Sequence, residues 1–136
     1  MDIADAATGI NWLSVILAAV SAFVIGGLWY GPLFGKAWVA ASGLSEQELA
    51  SRSMPLVFGV SLLLMLAAAV NLEMFVGAGA TVLFGAMAGL FAGLGWVATF
   101  LGVIYLFEKR APALWLVNGG YAVVALTVMG AILGAM

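Results

Sequence analysis

The sequence predicts an all-α membrane protein: one domain over residues 1–136, a bundle of four transmembrane helices with a short interfacial helical segment between the first two. Composition is the first reason, since 66% of the 136 residues are hydrophobic and 7% are charged, against about 25% charged residues in soluble domains. Pattern is the second reason. The apolar runs at about 10–30, 55–76, 81–107 and 112–135 each reach the roughly 20 residues that cross a bilayer.

Composition also narrows the function. The sequence contains no histidine and no cysteine, which removes imidazole and thiolate metal ligands and the commonest general base. No catalytic constellation is recognisable, so we expect neither an enzyme nor a cofactor. The net charge of −2 without a basic patch argues against a nucleic-acid partner.

The first apolar run ends in a segment suited to leaving the membrane. Gly31 and Pro32 are expected to stop the helix, because proline lacks an N–H and disfavours helical geometry in the residue before it. Trp29 and Trp38 carry amphipathic rings that prefer the headgroup level, and Lys36 is a charge typical of a cytoplasmic exit.

The polar connection that follows, residues 35–54, predicts two short helical pieces at the membrane surface. Ser45 and Glu48 fit the N-cap and N3 positions of a capping box, and Leu44 with Leu49 fits the hydrophobic staple around it. Gly43 is expected to end the preceding piece. An ordered connector without further function explains the same pattern.

The remaining spans have their own start signals and one packing face. Pro55 and Pro112 suit first-turn positions in the second and fourth helices. Gly85, Gly89 and Gly93 recur at four-residue spacing in the third, a small-residue face that lets two helices approach closely in lipid. The spacing leaves open whether this face packs within one chain or between chains.

The positions of the basic residues predict the orientation. With four spans, all four fall in two connections on one side of the membrane: Lys36, Arg52, Lys109 and Arg110. The positive-inside bias therefore predicts that the connections 31–54 and 108–111 are cytoplasmic and that both termini lie outside. Candidates for contact with lipid headgroups are these four side chains together with Trp29, Trp38 and Trp115.

Asn118 is the most informative polar residue of the spans. It lies in the fourth apolar run, where an unpaired amide in hydrocarbon would be costly. One interpretation is a hydrogen bond between helices, worth about 1 kcal/mol. The other is the lining of a small inner-facing cavity, shared with Tyr121, Tyr30 and Glu108.

Glu73 is the one acidic residue expected inside a span, near its outer boundary and close to Asn71. A carboxylate within the membrane points by default to the handling of protons or cations. At a membrane boundary, simple solvation by water is the alternative. Glu108, at the opposite side, also suits an ion pair with Arg110 or Lys36.

Several of these segments also characterise a known family. They include Asn-Trp at 11–12, Trp-Tyr-Gly-Pro-Leu-Phe-Gly-Lys-Ala-Trp at 29–38, Leu-Phe-Glu-Lys-Arg at 106–110, Leu-Val-Asn-Gly-Gly-Tyr at 116–121 and Met-Gly-Ala-Ile-Leu-Gly at 129–134. With them the chain resembles DUF1761, a family of small bacterial membrane proteins without assigned activity. The resemblance covers nearly the whole chain and implies a four-helix integral protein of a bacterial inner membrane, but no activity.

Three functions fit this sequence. The first is a non-enzymatic helical bundle that acts by self-association, as a homo-oligomer, or as an accessory subunit. The second is a small channel or transporter with a polar cavity around Asn118, whose small-molecule substrate the sequence does not name. The third is recognition of anionic lipid by the basic connections. Membrane lipid is a partner in all three.

Overall fold

The computed structural model describes residues 2–136, and this part of the chain is helical, with no strand. In chain order the helices are α1 Ile3–Thr8, α2 Trp12–Leu28, α3 Gly35–Ser42, α4 Glu46–Ala50, α5 Met54–Val76, α6 Val82–Ala92, α7 Thr99–Phe107 and α8 Pro112–Ala135. Two π-helical turns, Trp29–Leu33 and Gly93–Ala98, continue α2 and join α6 to α7.

Four of these helical stretches are long and apolar enough to cross a membrane. Within the described residues they are Trp12–Leu33, Met54–Val76, Val82–Phe107 and Pro112–Ala135. Their bounds lie within a few residues of the four apolar runs. The expected fold class, an all-α four-helix membrane bundle, is confirmed.

The distribution of side-chain size is that of a protein surrounded by lipid. Ala18, Ala19 and Ala22 of α2 are completely buried, whereas Leu63 is 66% exposed and Phe91 is 64% exposed. Apolar surface as extensive as this is not left facing water in soluble proteins. Small side chains therefore fill the inside of the bundle, where close approach of helices stabilises it, and large ones face the hydrocarbon.

Helix α8 is the centre of the bundle. Helices α2 and α6 pack along it, and α5 packs mainly on α2. The core between α2, α5 and α8 is apolar and includes Val15, Ala69, Leu72, Met129 and Leu133.

The glycine face of α6 is occupied by α8 of the same chain. A methyl group built at Gly85 would overlap the carbonyl oxygen of Gly130, and one at Gly130 would overlap that of Gly85. A methyl group at Gly89 would overlap the carbonyl of Leu126 in the same way. The backbones of α6 and α8 are therefore in direct contact, which only glycine permits.

The expectation that Gly31 and Pro32 stop the first helix is wrong. The helix passes through both and ends at Leu33, because the π-helical turn replaces the ordinary hydrogen-bonding pattern. The N–H of Phe34 bonds the carbonyl oxygen of Trp29, five residues back, at 2.7 Å. Widening the turn in this way accommodates a proline ring, which in a regular helix clashes with the carbonyl four residues earlier.

The two expected pieces of the polar connection are present as α3 and α4. Ser45 caps α4 by accepting a hydrogen bond from the backbone N–H of Glu48 at 3.0 Å, which is one half of the expected capping box. Gly43 ends α3 in the left-handed conformation, with φ of 73°, where glycine is unstrained. The sequence analysis missed α1, a six-residue helix.

The two ends of the bundle differ in charge. A hydrogen bond of 3.1 Å from Nη1 of Arg110 to the carbonyl oxygen of Ser42 joins the two basic connections. We call this the basic end, defined by residues 34–53 and 108–111. The opposite end carries α1, the turn 77–80 between α5 and α6, and the last residues of α8; we call it the turn end.

Candidate functional site

Glu73 lies at the turn end, inside the bundle rather than on its surface. It is 5% exposed and shares the buried face of α5 with Ala69, Leu72 and Val76, at the three- and four-residue spacing of one helix face. The C-terminal half of α5 packs on α2, which buries this carboxylate, and its solvation by water stays a prediction. Asn71 is exposed, and it does not belong to the same site.

One oxygen of the carboxylate is held by the start of α2. The backbone N–H of Asn11 donates to Oε1 of Glu73 at 3.4 Å. Asn11 is the N-cap of α2, and its Oδ1 accepts from the N–H of Ser14 at 3.3 Å. The N-terminus of a helix carries partial positive charge and free N–H groups, so Oε1 of Glu73 lies at the positive end of α2.

The second oxygen of the Glu73 carboxyl group differs from the first in its contacts. Oε2 of Glu73 is buried and has no hydrogen-bond partner among the described residues. Buried carboxylates are normally paired with a cation or fully hydrogen-bonded, since their desolvation is costly. Oε2 of Glu73 is therefore the polar atom of this site whose hydrogen-bonding capacity the described residues leave unused.

Two adjoining cavities meet at Glu73, each with a volume of about 210 Å³. The first, the turn cavity, is also lined by Asn11 and by residues 77–80 and 133–136. The second, the α1 cavity, lies beside α1, and its lining includes Asp5, Ala6 and Met74. Both share Gly9, Gly77 and Ala78, so Glu73 lies on the boundary between them.

This arrangement suits a single cationic ligand better than a metal cluster site. Within the described residues, no group of three or more acidic, histidine or cysteine side chains is placed to hold a metal ion. What the site offers is one buried carboxyl group with an unpartnered oxygen, next to a space large enough for a small molecule or a hydrated ion.

Of the polar residues expected around Asn118, Tyr30 bonds it directly and Tyr121 lies beside Tyr30, nearer the basic end. The hydroxyl of Tyr30 donates to Oδ1 of Asn118 at 2.7 Å, and Nδ2 of Asn118 donates to the hydroxyl of Tyr105 at 2.8 Å. Tyr121 lies beside Tyr30, with ring centroids 5.3 Å apart, and donates to the carbonyl of Ala22 at 2.8 Å.

This network links the helices, and both the oxygen and the nitrogen of the Asn118 amide are hydrogen-bonded in it. Tyr105 was missed by the sequence analysis, since a single tyrosine in an apolar run carries no signal of its partner. Glu108 does not join the network. It forms an exposed ion pair with Arg110, with a distance of 3.3 Å between Oε1 and Nε.

The tryptophans expected at the headgroup level also make contacts within the bundle. The indole N–H of Trp29 donates to the carbonyl of Val117 at 2.8 Å, and that of Trp115 donates to the carbonyl of Ala98 at 2.7 Å. Their polar N–H groups are therefore directed at α8 and at the turn Gly93–Ala98 rather than at lipid.

At the basic end, the side chains differ in what they contact. The guanidinium of Arg52 lies over the ring of Trp38, 5.7 Å from its centroid, a cation–π contact. Arg110 bonds Glu108 and Ser42. Lys36 and Lys109 are exposed.

Comparison with known proteins identifies the family. Residues 13–134 match the family described as protein of unknown function, DUF1761. Searches of curated proteins and of solved structures found no match. The match covers nearly the whole chain, including Glu73 and Asn118, and the chain therefore belongs to the DUF1761 family.

Proposed function

We propose that this protein binds a small cation inside its membrane domain, with Glu73 as the ligand. The observation that carries the proposal is the free oxygen of Glu73, buried at the boundary of two cavities. A cation at Oε2 supplies the partner that a buried carboxylate requires.

The surroundings of Glu73 support a cation rather than a neutral ligand. The N–H of Asn11 at the start of α2 occupies Oε1, and Oε2 has no partner among the described residues. The C-terminal end of α5 borders the same cavities, and a helix C-terminus carries partial negative charge. The C-terminal end of α5 therefore lowers the free energy of a positive charge in this space.

This proposal keeps the channel or transporter alternative but moves its site from Asn118 to Glu73. The oxygen and the nitrogen of the Asn118 amide each have a partner within the bundle, whereas Oε2 of Glu73 has none among the described residues. Self-association stays a prediction, and the glycine face that suggested it is filled by α8. With the basic end in the cytoplasm, as the positive-inside bias predicts, the Glu73 site lies at the outer side.

Equilibrium binding tests the proposal. The protein in nanodiscs of zwitterionic lipid is titrated with Na⁺, K⁺ and methylammonium by calorimetry. We expect at least one of them to bind, and Glu73→Gln to weaken its affinity at least about tenfold, because a charge-assisted contact is lost. The matched control is Glu108→Gln, which removes an acid at the other end. Equal affinities in Glu73→Gln and the unmodified protein contradict the proposal.

A second function, binding of anionic lipid at the basic end, rests on a different observation. The bond from Arg110 to Ser42 brings both basic connections together, and Lys36 and Lys109 are exposed there. Each basic side chain near a membrane surface contributes about 1 kcal/mol toward anionic lipid. The test is the amount of phosphatidylglycerol that co-purifies. Substituting Lys36 and Lys109 by glutamine lowers it if the function is present and leaves it unchanged if it is not.

A further inference from the structure

The α1 cavity holds a second acidic side chain opposite the buried one. Asp5 of α1 and Glu73 of α5 both line it, and they differ in burial: Asp5 is exposed whereas Glu73 is 5% exposed. One carboxylate therefore stands at the mouth of the cavity and the other at its inner wall. A ligand with a single positive charge uses only one of them.

The rest of the lining is apolar. Ala6, Met74 and Ala78 form the wall between the two carboxylates, together with the glycines shared with the turn cavity. Such a wall suits methylene groups, which gain free energy when they are removed from water. The lining thus presents two negative ends and an apolar middle.

The α1 cavity has room for more than a single ion. On the measure by which about 10–15 Å³ holds one water, its space of about 210 Å³ admits a ligand of several non-hydrogen atoms. A dehydrated metal ion leaves most of this space empty, and a divalent ion requires about six oxygen ligands, whereas two carboxylates supply four oxygens, one of them already bonded to Asn11.

We infer that the ligand of the Glu73 site is a short aliphatic diammonium compound, with one ammonium group on Oε2 of Glu73, the other on Asp5, and the methylene chain on Ala6 and Met74. The inference rests on the proposed function, since it assumes that Glu73 binds a cation. It adds the chemical class of the ligand and assigns Asp5 as the residue that selects two charges over one.

A matched pair of ligands tests the inference in the full-length protein. Putrescine and n-butylamine share a four-carbon chain and differ in the second ammonium group. Both are titrated into nanodiscs of zwitterionic lipid, so that the membrane itself does not attract them. We expect putrescine to bind roughly five- to tenfold more tightly, the effect of one more charge-assisted contact at an exposed acid.

Two variants assign the charges. In Asp5→Asn, putrescine is expected to fall to the affinity of n-butylamine, whose own affinity does not change. In Glu73→Gln, both amines are expected to lose binding. Asp2→Asn is the matched control, since Asp2 is an exposed acid of the same segment outside the cavity lining, and it leaves both affinities unchanged.

The outcomes separate this inference from the proposed function. Equal binding of the two amines by the unmodified protein, with both lost in Glu73→Gln, overturns the diammonium ligand and leaves the cation site intact. If Asp5→Asn weakens the binding of putrescine and of n-butylamine by the same factor, the inference is also overturned. Asp5 then attracts any cation through its charge and does not bind a second ammonium group. If no amine binds while Na⁺ or K⁺ still binds through Glu73, the inference alone is overturned. If no cation binds at all, the inference and the proposed function are both overturned.

Discussion

The backbone N–H of Asn11 donates a hydrogen bond to Oε1 of Glu73 at 3.4 Å, joining residues that lie 62 positions apart in the chain. This bond places the positive end of α2 against the carboxylate near the end of α5. It occupies Oε1 of Glu73 and leaves Oε2 buried without a partner among the described residues.

The glycine contact between α6 and α8 predicts strong destabilisation by a single methyl group. Gly130→Ala forces apart two backbones that touch at Gly85, and overpacking of this kind costs about 1–3 kcal/mol. Thermal or denaturant unfolding in detergent measures the change. The control is Gly59→Ala, since an added methyl at Gly59 has no described atom within 4 Å. Equal stability of the two variants contradicts the packing described.

The network around Asn118 predicts a structural effect of its removal. In Asn118→Leu the hydroxyls of Tyr30 and Tyr105 each lose their bond to the amide. Hydrogen bonds between membrane helices contribute about 0.6–1.7 kcal/mol each, so the free energy of unfolding should fall by about 1–3 kcal/mol. Cation binding at Glu73 should persist in the folded fraction. Asn71→Leu, on an exposed face of α5, is the control and should leave stability nearly unchanged.

The bond from Arg110 to Ser42 predicts faster opening of the connection between α3 and α5. In Arg110→Gln this 3.1 Å bond and the ion pair with Glu108 are both lost. For exposed groups the loss is up to about 1 kcal/mol, which corresponds to roughly fivefold faster cleavage after Glu46 and Glu48 by a glutamate-specific protease. Lys109→Gln, the neighbouring loss of a positive charge, should cleave at the unmodified rate.

The charge difference between the two ends predicts a topology. The sequence has no cysteine, so single cysteines report on one position each. Ala78→Cys at the turn end should react with an impermeant maleimide on intact cells, and Ser51→Cys at the basic end only after permeabilisation, because the positive-inside bias predicts a cytoplasmic basic end. Both positions are exposed. The reverse pattern of labelling means that the protein is inserted the other way.

The sequence by itself determined those features of this protein that depend on residues adjacent in the chain. The four spans follow from the length of apolar runs, and the end of α3 and the start of α4 follow from Gly43 and Ser45, whose chemistry acts within one turn. Pro32 is the exception among local signals. Its effect on the helix depended on whether the turn could widen, which the residue type does not reveal.

Only the tertiary structure decided what each helix face contacts. Asn71 and Glu73 lie two residues apart in one apolar helix, yet the packing of α5 on α2 exposes the first and buries the second. The spacing of Gly85 and Gly89 predicted a close helix contact, but only the structure identified the partner as α8 of the same chain. In an almost uniformly apolar helix no hydrophobic stripe marks the inner face. The contacts that select it, such as the one from Asn11 to Glu73, join segments far apart in the chain.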